Sequence, residues 1–306
     1  MTTPTNSKAS QKPPTRSIFT KGLSVPEGPV ALPDGSWLVV EGGAGRGCVT
    51  QITPDGSSNR IVACTGEPNG LAVDKDGFIW VAELRNPPSL LRVSLDGKIE
   101  IIATEFEGEQ FLFPNDLCFG PDGALYLTDS GFLTEDFAPG GKIRSDYMDL
   151  KMDGSLYRID RRDHSIDRLD GNIECTNGLA FGPDNSLYVA ETRTGAIFRY
   201  EWKGGGKIGP RETFANVLDH SWPGWKGPDG MAFGADGKLY IAVFGQQEVV
   251  VLSRDGAISQ RINTAGREPT NLAFGLPGQK KIYVTECEFG QMEVYDVGVD
   301  GSPLWL

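Results

Sequence analysis

One unit is written six times along this chain, and few folds accommodate that. It opens at Pro26 (PEGPVALPDGSWLVVE), Pro68 (PNGLAVDKDGFIWVAE), Pro114 (PNDLCFGPDGALYLTDS), Thr176 (TNGLAFGPDNSLYVAET), Pro228 (PDGMAFGADGKLYIAVF) and Pro269 (PTNLAFGLPGQKKIYVTE). Each copy runs from a short apolar strand through an Asp-Gly or related turn into a second, alternating strand, which is a hairpin pattern. A third strand follows (LLRVS, SLYRID, AIFRYE, VVVLS, MEVYDV), and most copies add a fourth (IEIIAT, RETFAN, SQRINT). Four antiparallel strands in about 40–60 residues is the pattern of a propeller blade. The sequence therefore predicts an all-β fold, a six-bladed β-propeller of four-stranded antiparallel blades, with residues 17–306 as one domain. A β-sandwich would leave six copies of one hairpin unexplained. Residues 17–21 (SIFTK) resemble the close of other blades. They are expected to complete the last blade, join the two ends and cover a sheet edge. Residues 1–16 are polar and rich in Pro, Ser and Thr, and they lack an apolar core region. They read as a disordered leader rather than an export signal.

Composition narrows the function classes. Of 306 residues, 39% are hydrophobic and 23% charged, as in an ordinary water-soluble domain, and no run of 18 apolar residues suggests a membrane span. The formal net charge of -12 argues against nucleic acid and anionic membranes as partners, because phosphates would be repelled. The expected partner is a small molecule, and the expected assembly a monomer or small homo-oligomer. Five scattered cysteines without a CxxC motif argue against a disulfide framework or a thiolate zinc site, and reduced cysteines point to the cytoplasm. Two histidines and no GxSxG argue against a Ser-His-Asp triad.

The second residue of each repeat behaves unlike its neighbours. It reads Glu27, Asn69, Asn115, Asn177, Asp229 and Thr270, always oxygen-bearing but never settled in chemistry. The first strand of a blade lies nearest the central axis, so these six side chains converge on the channel mouth. Hard oxygen donors around one point suit a divalent cation. Glu27 and Asp229 would neutralise its charge, and Asn115 and Asn177 would add neutral carbonyl oxygens. Calcium is the expected ion; Mg²⁺, Mn²⁺, Zn²⁺ and Fe²⁺ also accept such donors. Without a cation, the two carboxylates would repel and one would take up a proton. The competing reading is that Asn-Gly and Asp-Gly are simply turn residues; Glu27, a poor turn residue, counts against it.

A second column lies fourteen positions on: Glu41, Glu83, Asp129, Glu191, Val243 and, after an insertion, Glu286. The strands are antiparallel, so these acids return to the same rim, either to orient the first column or to accept backbone N–H groups. Long insertions fall on this rim too: 131–153, 104–114 and 215–228. Insertions gathered on one face mark a binding face. Phe111, Phe113, Trp222 and Trp225 would wall a pocket there or serve only as loop ballast. His220 lies on the same rim, whereas His164 falls in an outer turn.

These residues resemble the SMP-30/gluconolactonase/luciferin-regenerating-enzyme (LRE-like) family. The resemblance covers residues 17–306 in blade order, through PEGP (26–29), PND (114–116), LTD (127–129), TNGLAF (176–181) and PDGMAF (228–233). It implies one divalent metal held by Glu27, Asn177 and Asp229 with Asn115 close by. It also implies metal-assisted hydrolysis of a lactone, with the metal polarising the carbonyl and Asp229 as general base. Asp129 and Asp116 join Asp229 in the expected catalytic set by holding the hydrogen-bond network. The expected substrate contacts are Asn69, Phe113, Arg193, His220 and Trp222. Sugar-lactonase members carry Arg two positions before the third-blade Asn, where this chain has Phe113. An apolar ring cannot replace a guanidinium fork, so the expectation moves toward a less polar lactone or ester. Arg85 and Arg193, each two residues past a rim acid, are candidates to compensate. Two alternatives stay open: an organophosphate or aryl-ester hydrolase on the same site, and a non-catalytic propeller, stabilised by metal, that binds a partner.

Overall fold

The Asp-Gly turns set the hairpins. In the third repeat Gly120 N–H donates to Ala124 O at 3.0 Å and Gly123 N–H to Gly120 O at 2.9 Å, with Gly123 at φ +73°. Only a residue free to enter the left-handed region closes this turn cheaply. The computed structural model describes residues 14–85 and 87–305. The expected leader falls largely on residues 1–13, outside them.

Six four-stranded antiparallel sheets form a six-bladed β-propeller. The first blade is Pro26–Ala31, Trp37–Glu41, Cys48–Ile52 and Asn59–Cys64 in hydrogen-bonded order. The last joins Arg16–Lys21 to Gln291–Asp296, Lys281–Glu286 and Pro269–Phe274. The expected ring closure is therefore present, beginning one residue earlier. Phe19 from the closing strand packs edge-on to Tyr283 at 5.1 Å, and Tyr283 lies 4.2 Å from Trp37 of the first blade.

Each first strand packs against the next around the ring, and the first and last also meet. The second strands were expected to alternate. Instead Leu125–Asp129, Leu187–Glu191 and Ile79–Glu83 are buried at every residue. Blades stack face to face, so a mid-blade strand has a neighbour on both faces and no side for water. One such interblade core joins Tyr188, Ala190 and Ile197 to Met231, Phe233, Ile241 and Val250. Among the described residues no helix is long and apolar enough to cross a membrane.

Candidate metal centre

In all six blades the register between first and second strands slips at one place. The irregularities lie between Glu27/Val30, Pro68/Leu71, Pro114/Leu117, Thr176/Leu179, Pro228/Met231 and Pro269/Leu272. A bulge of this kind breaks the pleat and re-aims side chains. The variable column sits inside it in five blades, and at its edge in the first, where Glu27 still pairs with Val40, and the slip turns these residues from the packed blade faces toward the axis. Threonine hydroxyls hold the bulge in two blades. Thr128 Oγ1 accepts from Asp116 N–H at 3.1 Å, and Thr285 Oγ1 accepts from Asn271 N–H at 3.0 Å.

The next column inward reads Gly28, Gly70, Asp116, Gly178, Gly230 and Asn271. The glycines make room. A Cβ on Gly70 would stand 2.8 Å from Asp116 Oδ1, and one on Gly230 would stand 1.9 Å from Asn271 Oδ1. Asp116 and Asn271 reach across the cleared space, with Asn271 Nδ2 3.4 Å from Asp116 Oδ2.

Glu27, Asp116 and Asp229 are all nearly withdrawn from water, at 5%, 8% and 9% exposure. Burial and the charge of Asp116 push Glu27 up to about 8, against hydrogen bonds from Gly28, Asn271 and Thr270. Burial pushes Asp116 up to about 6, against donors at Leu117, Asn271 and Leu179. Burial, then Glu27 and Asp116, hold Asp229 well above the usual carboxylate range. No cationic side chain figures among the main influences on any of the three. Among the described residues the site gathers negative charge, with no cation among the main influences on it.

The amides beside them are oriented by their neighbours. Thr192 Oγ1 donates to Pro228 O at 2.9 Å, so toward Asn177 Nδ2, at 3.0 Å, it can only accept. That fixes the Asn177 oxygen on the other side, where it is buried and finds no donor among the described residues. Ser130 Oγ repeats the arrangement in the third blade, donating to Thr176 O at 2.7 Å and accepting from Asn115 Nδ2 at 3.0 Å. Asn115 Oδ1 accepts from Asn69 Nδ2 at 3.0 Å. Two raised carboxylates, an orphaned amide oxygen and a second pinned amide fit the donor set of a hard divalent cation.

Ser130 and Thr192 escaped the sequence reading. A signal was present: the column after the rim acids reads Gly42, Leu84, Ser130, Thr192, Phe244 and Cys287. Hydroxyls occur there only in the two blades whose amides, Asn115 and Asn177, they hold.

The rim acids brace backbone. Glu41 accepts from Ser24 N–H at 2.8 Å, Glu83 from Glu67 N–H at 2.6 Å, and Glu191 from Glu174 N–H at 2.6 Å. Asp129 accepts three, from Leu112 at 2.8 Å, Phe113 at 3.0 Å and Gly131 at 2.9 Å. Each acid thus fastens the segment entering its own blade's first strand. Asp129 falls in this pattern, with both oxygens committed to main chain.

The insertion at 131–153 lies over this rim. It contains the short helix Thr134–Phe137 and packs through aromatic rings: Phe113 to Phe132 at 4.9 Å, Phe132 to Phe137 at 5.1 Å and Phe137 to Trp225 at 4.8 Å. Phe113 is thereby an anchor for the insertion, and Phe111 belongs to the blade core against Tyr157 at 5.4 Å. Arg193 donates to Leu150 O at 2.7 Å and to Met148 O, and pairs with Glu174 at 3.3 Å. Arg85 pairs with Glu67 and stands 3.8 Å from Glu135. Both arginines therefore grip the insertion, from the blades on either side of it. His220 is exposed, and Trp222 carries Arg267 over its ring at 5.4 Å. A cavity of about 380 Å³ opens between Tyr147, Trp225, Phe244, Arg267 and Glu268. Burial, and then the charges of Glu27 and Asp229, hold the Cys287 thiol well above its ordinary value.

Comparison with known proteins gives consistent results. The family model described as the SMP-30/Gluconolactonase/LRE-like region matches residues 88–288. The chain is 32% identical over 236 residues to diisopropyl-fluorophosphatase of Loligo vulgaris, covering 73% of this chain and 69% of that one. It is 26% identical over 285 residues to gluconolactonase of Zymomonas mobilis, covering 86% and 76%. Among solved structures it is similar to regucalcin, a calcium-binding protein of Agrobacterium tumefaciens, with a TM-score of 0.72, 19% identity and coverage of 95% and 99%.

Proposed function

Because the chain belongs to the SMP-30/gluconolactonase/LRE-like family, we propose that it hydrolyses lactones or related esters with one divalent cation held by Glu27, Asn115, Asn177 and Asp229. The observation that carries this reading is the pairing of uncompensated buried carboxylates with the orphaned Asn177 oxygen. Gluconolactonase and lactonases among the relatives support the reaction class. When bound, the cation supplies a fixed positive charge that polarises the carbonyl and stabilises the oxyanion.

The chain's own groups do the rest. Glu27 and Asp229 set the charge of the site. Ser130 and Thr192 hold the amide oxygens of Asn115 and Asn177 toward the axis. Asp229, whose proton affinity is raised by burial and by Glu27, takes the proton of the attacking water on a carboxylate oxygen. Asp116 is a positioning residue, reaching Asn271 beneath the site. Asp129 is another, acting through the backbone of residues 112 and 113. Asn69 orients Asn115.

The test is to strip the protein with chelator and assay a lactone panel before and after adding back cation. Turnover should vanish and return; undiminished turnover in the stripped protein refutes the reading. Asp229→Asn should lower kcat by about 10²–10⁴-fold with an unchanged circular dichroism spectrum. A second reading, phosphotriester hydrolysis at the same centre, is favoured by the similarity to diisopropyl-fluorophosphatase. Assaying both substrate classes on one preparation separates them.

A further inference from the structure

We propose that Cys48 and Cys64 form a thiol modification site, a pair that closes into a reversible cross-strand disulfide when met by a peroxide or a low-molecular-weight disulfide. The two stand directly opposite each other in the antiparallel pairing of Cys48–Ile52 with Asn59–Cys64. Thr65 N–H donates to Gly47 O at 3.0 Å. That bond belongs to the neighbouring pair, so Cys48 and Cys64 occupy a non-hydrogen-bonded position of the ladder. Such positions bring Cα atoms to about 4.5 Å and point both side chains to the same face. Disulfides span Cα separations of about 4.4–6.8 Å, so closure needs side-chain rotation rather than backbone movement.

The two thiols differ in access. Both are free, Cys64 exposed and Cys48 at 0% exposure. Cys64 is therefore the sulfur that meets the oxidant. With a peroxide, the Cys64 thiolate attacks one oxygen, the O–O bond breaks, hydroxide or alkoxide leaves, and Cys64 becomes a sulfenic acid. Cys48 then gives up its proton and attacks the Cys64 sulfur, the S–O bond breaks and water leaves. With a small disulfide, Cys64 first takes one half and releases a thiol; Cys48 displaces the other half. Either route removes two protons and two electrons from the pair. Burial raises the Cys48 thiol, with the Thr50 hydroxyl opposing, which suits it to the second step rather than the first.

The pair also touches the frame of the metal centre. Cys48 Sγ lies 3.8 Å from Glu41 Oε1 and 3.4 Å from Thr50 Oγ1. Glu41 is the acid that fastens Ser24 N–H, three residues before Glu27. Glu41 keeps its bonds from Thr50 and Arg46 when the thiol is consumed. The disulfide chemistry is independent of the hydrolase reading.

The test uses the full chain, reduced, then exposed to oxidised glutathione and blocked with iodoacetamide. In a portion taken before blocking, thiols counted in denaturant should fall from five to three and return to five with dithiothreitol. Trypsin cuts after Arg46, Arg60 and Lys75, so peptides 47–60 and 61–75 should run as one species until reduced. Cys64→Ser should abolish that species, and Cys48→Ser should leave glutathione stably attached to Cys64. Five thiols after oxidation, glutathione retained on wild-type Cys64, or Cys64 joined to another cysteine would each overturn the proposal.

Discussion

Thr192→Val is the perturbation that probes the site most directly. The substitution keeps shape and removes one hydroxyl. That hydroxyl makes two buried contacts, to Pro228 O at 2.9 Å and from Asn177 Nδ2 at 3.0 Å. Loss of the first leaves a buried carbonyl short of its donor and costs about 1–3 kcal/mol of stability. In a chain of 306 residues this is a fall of a few degrees in Tm. Loss of the second frees the Asn177 amide to turn its NH₂ toward the axis. Groups that orient a ligand are typically worth about 10–100-fold in metal affinity, or about 1.4–2.7 kcal/mol. Calorimetric titration of stripped protein with Ca²⁺ should show that loss in Thr192→Val. The decisive arm is Asn177→Asp. A carboxylate offers oxygen whichever way it turns, so adding Thr192→Val to it should change cation affinity by no more than about threefold. If Thr192→Val binds cation like wild type, or loses as much in the Asn177→Asp background, the hydroxyl does not act by orienting the amide, and the reasoning fails.

Stability of the stripped protein should depend on pH. Glu27 is raised from its ordinary 4.5 to about 8, so between these values the folded chain holds a proton that the unfolded chain has lost. Stability is then present at low pH and falls as pH rises through that window; thermal melts should show it, and the gain on adding cation should widen toward pH 8. A flat or opposite trend would contradict a buried, uncompensated carboxylate. Asp129→Ala should lower stability by about 3 kcal/mol or more, because three backbone N–H groups lose their acceptor, as denaturant titration would show. Arg193→Ala should speed tryptic cleavage at Lys142, Arg144 and Lys151, since the guanidinium holds the carbonyls of Met148 and Leu150; an unchanged cleavage rate would refute the clamp.

How much was legible differs from feature to feature. The blades, their order and the closing strand follow from the repeat. Glu27, Asn115, Asn177 and Asp229, the ligand set proposed above, could be put forward together because equal offsets in a repeated unit become equal heights around an axis. Asp129, by contrast, shared an offset with Glu41 and Glu191, and offset alone does not say whether a carboxylate faces a ligand or a backbone N–H. Phe111 and Phe113 stand two residues apart in one loop, yet the first enters the blade core and the second anchors the insertion.

The sequence by itself determined the architecture and the ring of oxygen-bearing side chains, because both are periodic and periodicity survives folding as rotation. Only the tertiary structure decided where those oxygens point. The bulge that turns them inward, the hydroxyls of Ser130 and Thr192 that fix the amides, and the arginines that grip the insertion all depend on contacts between blades. Such contacts arise once each, between residues far apart in the chain, and no repeat announces them.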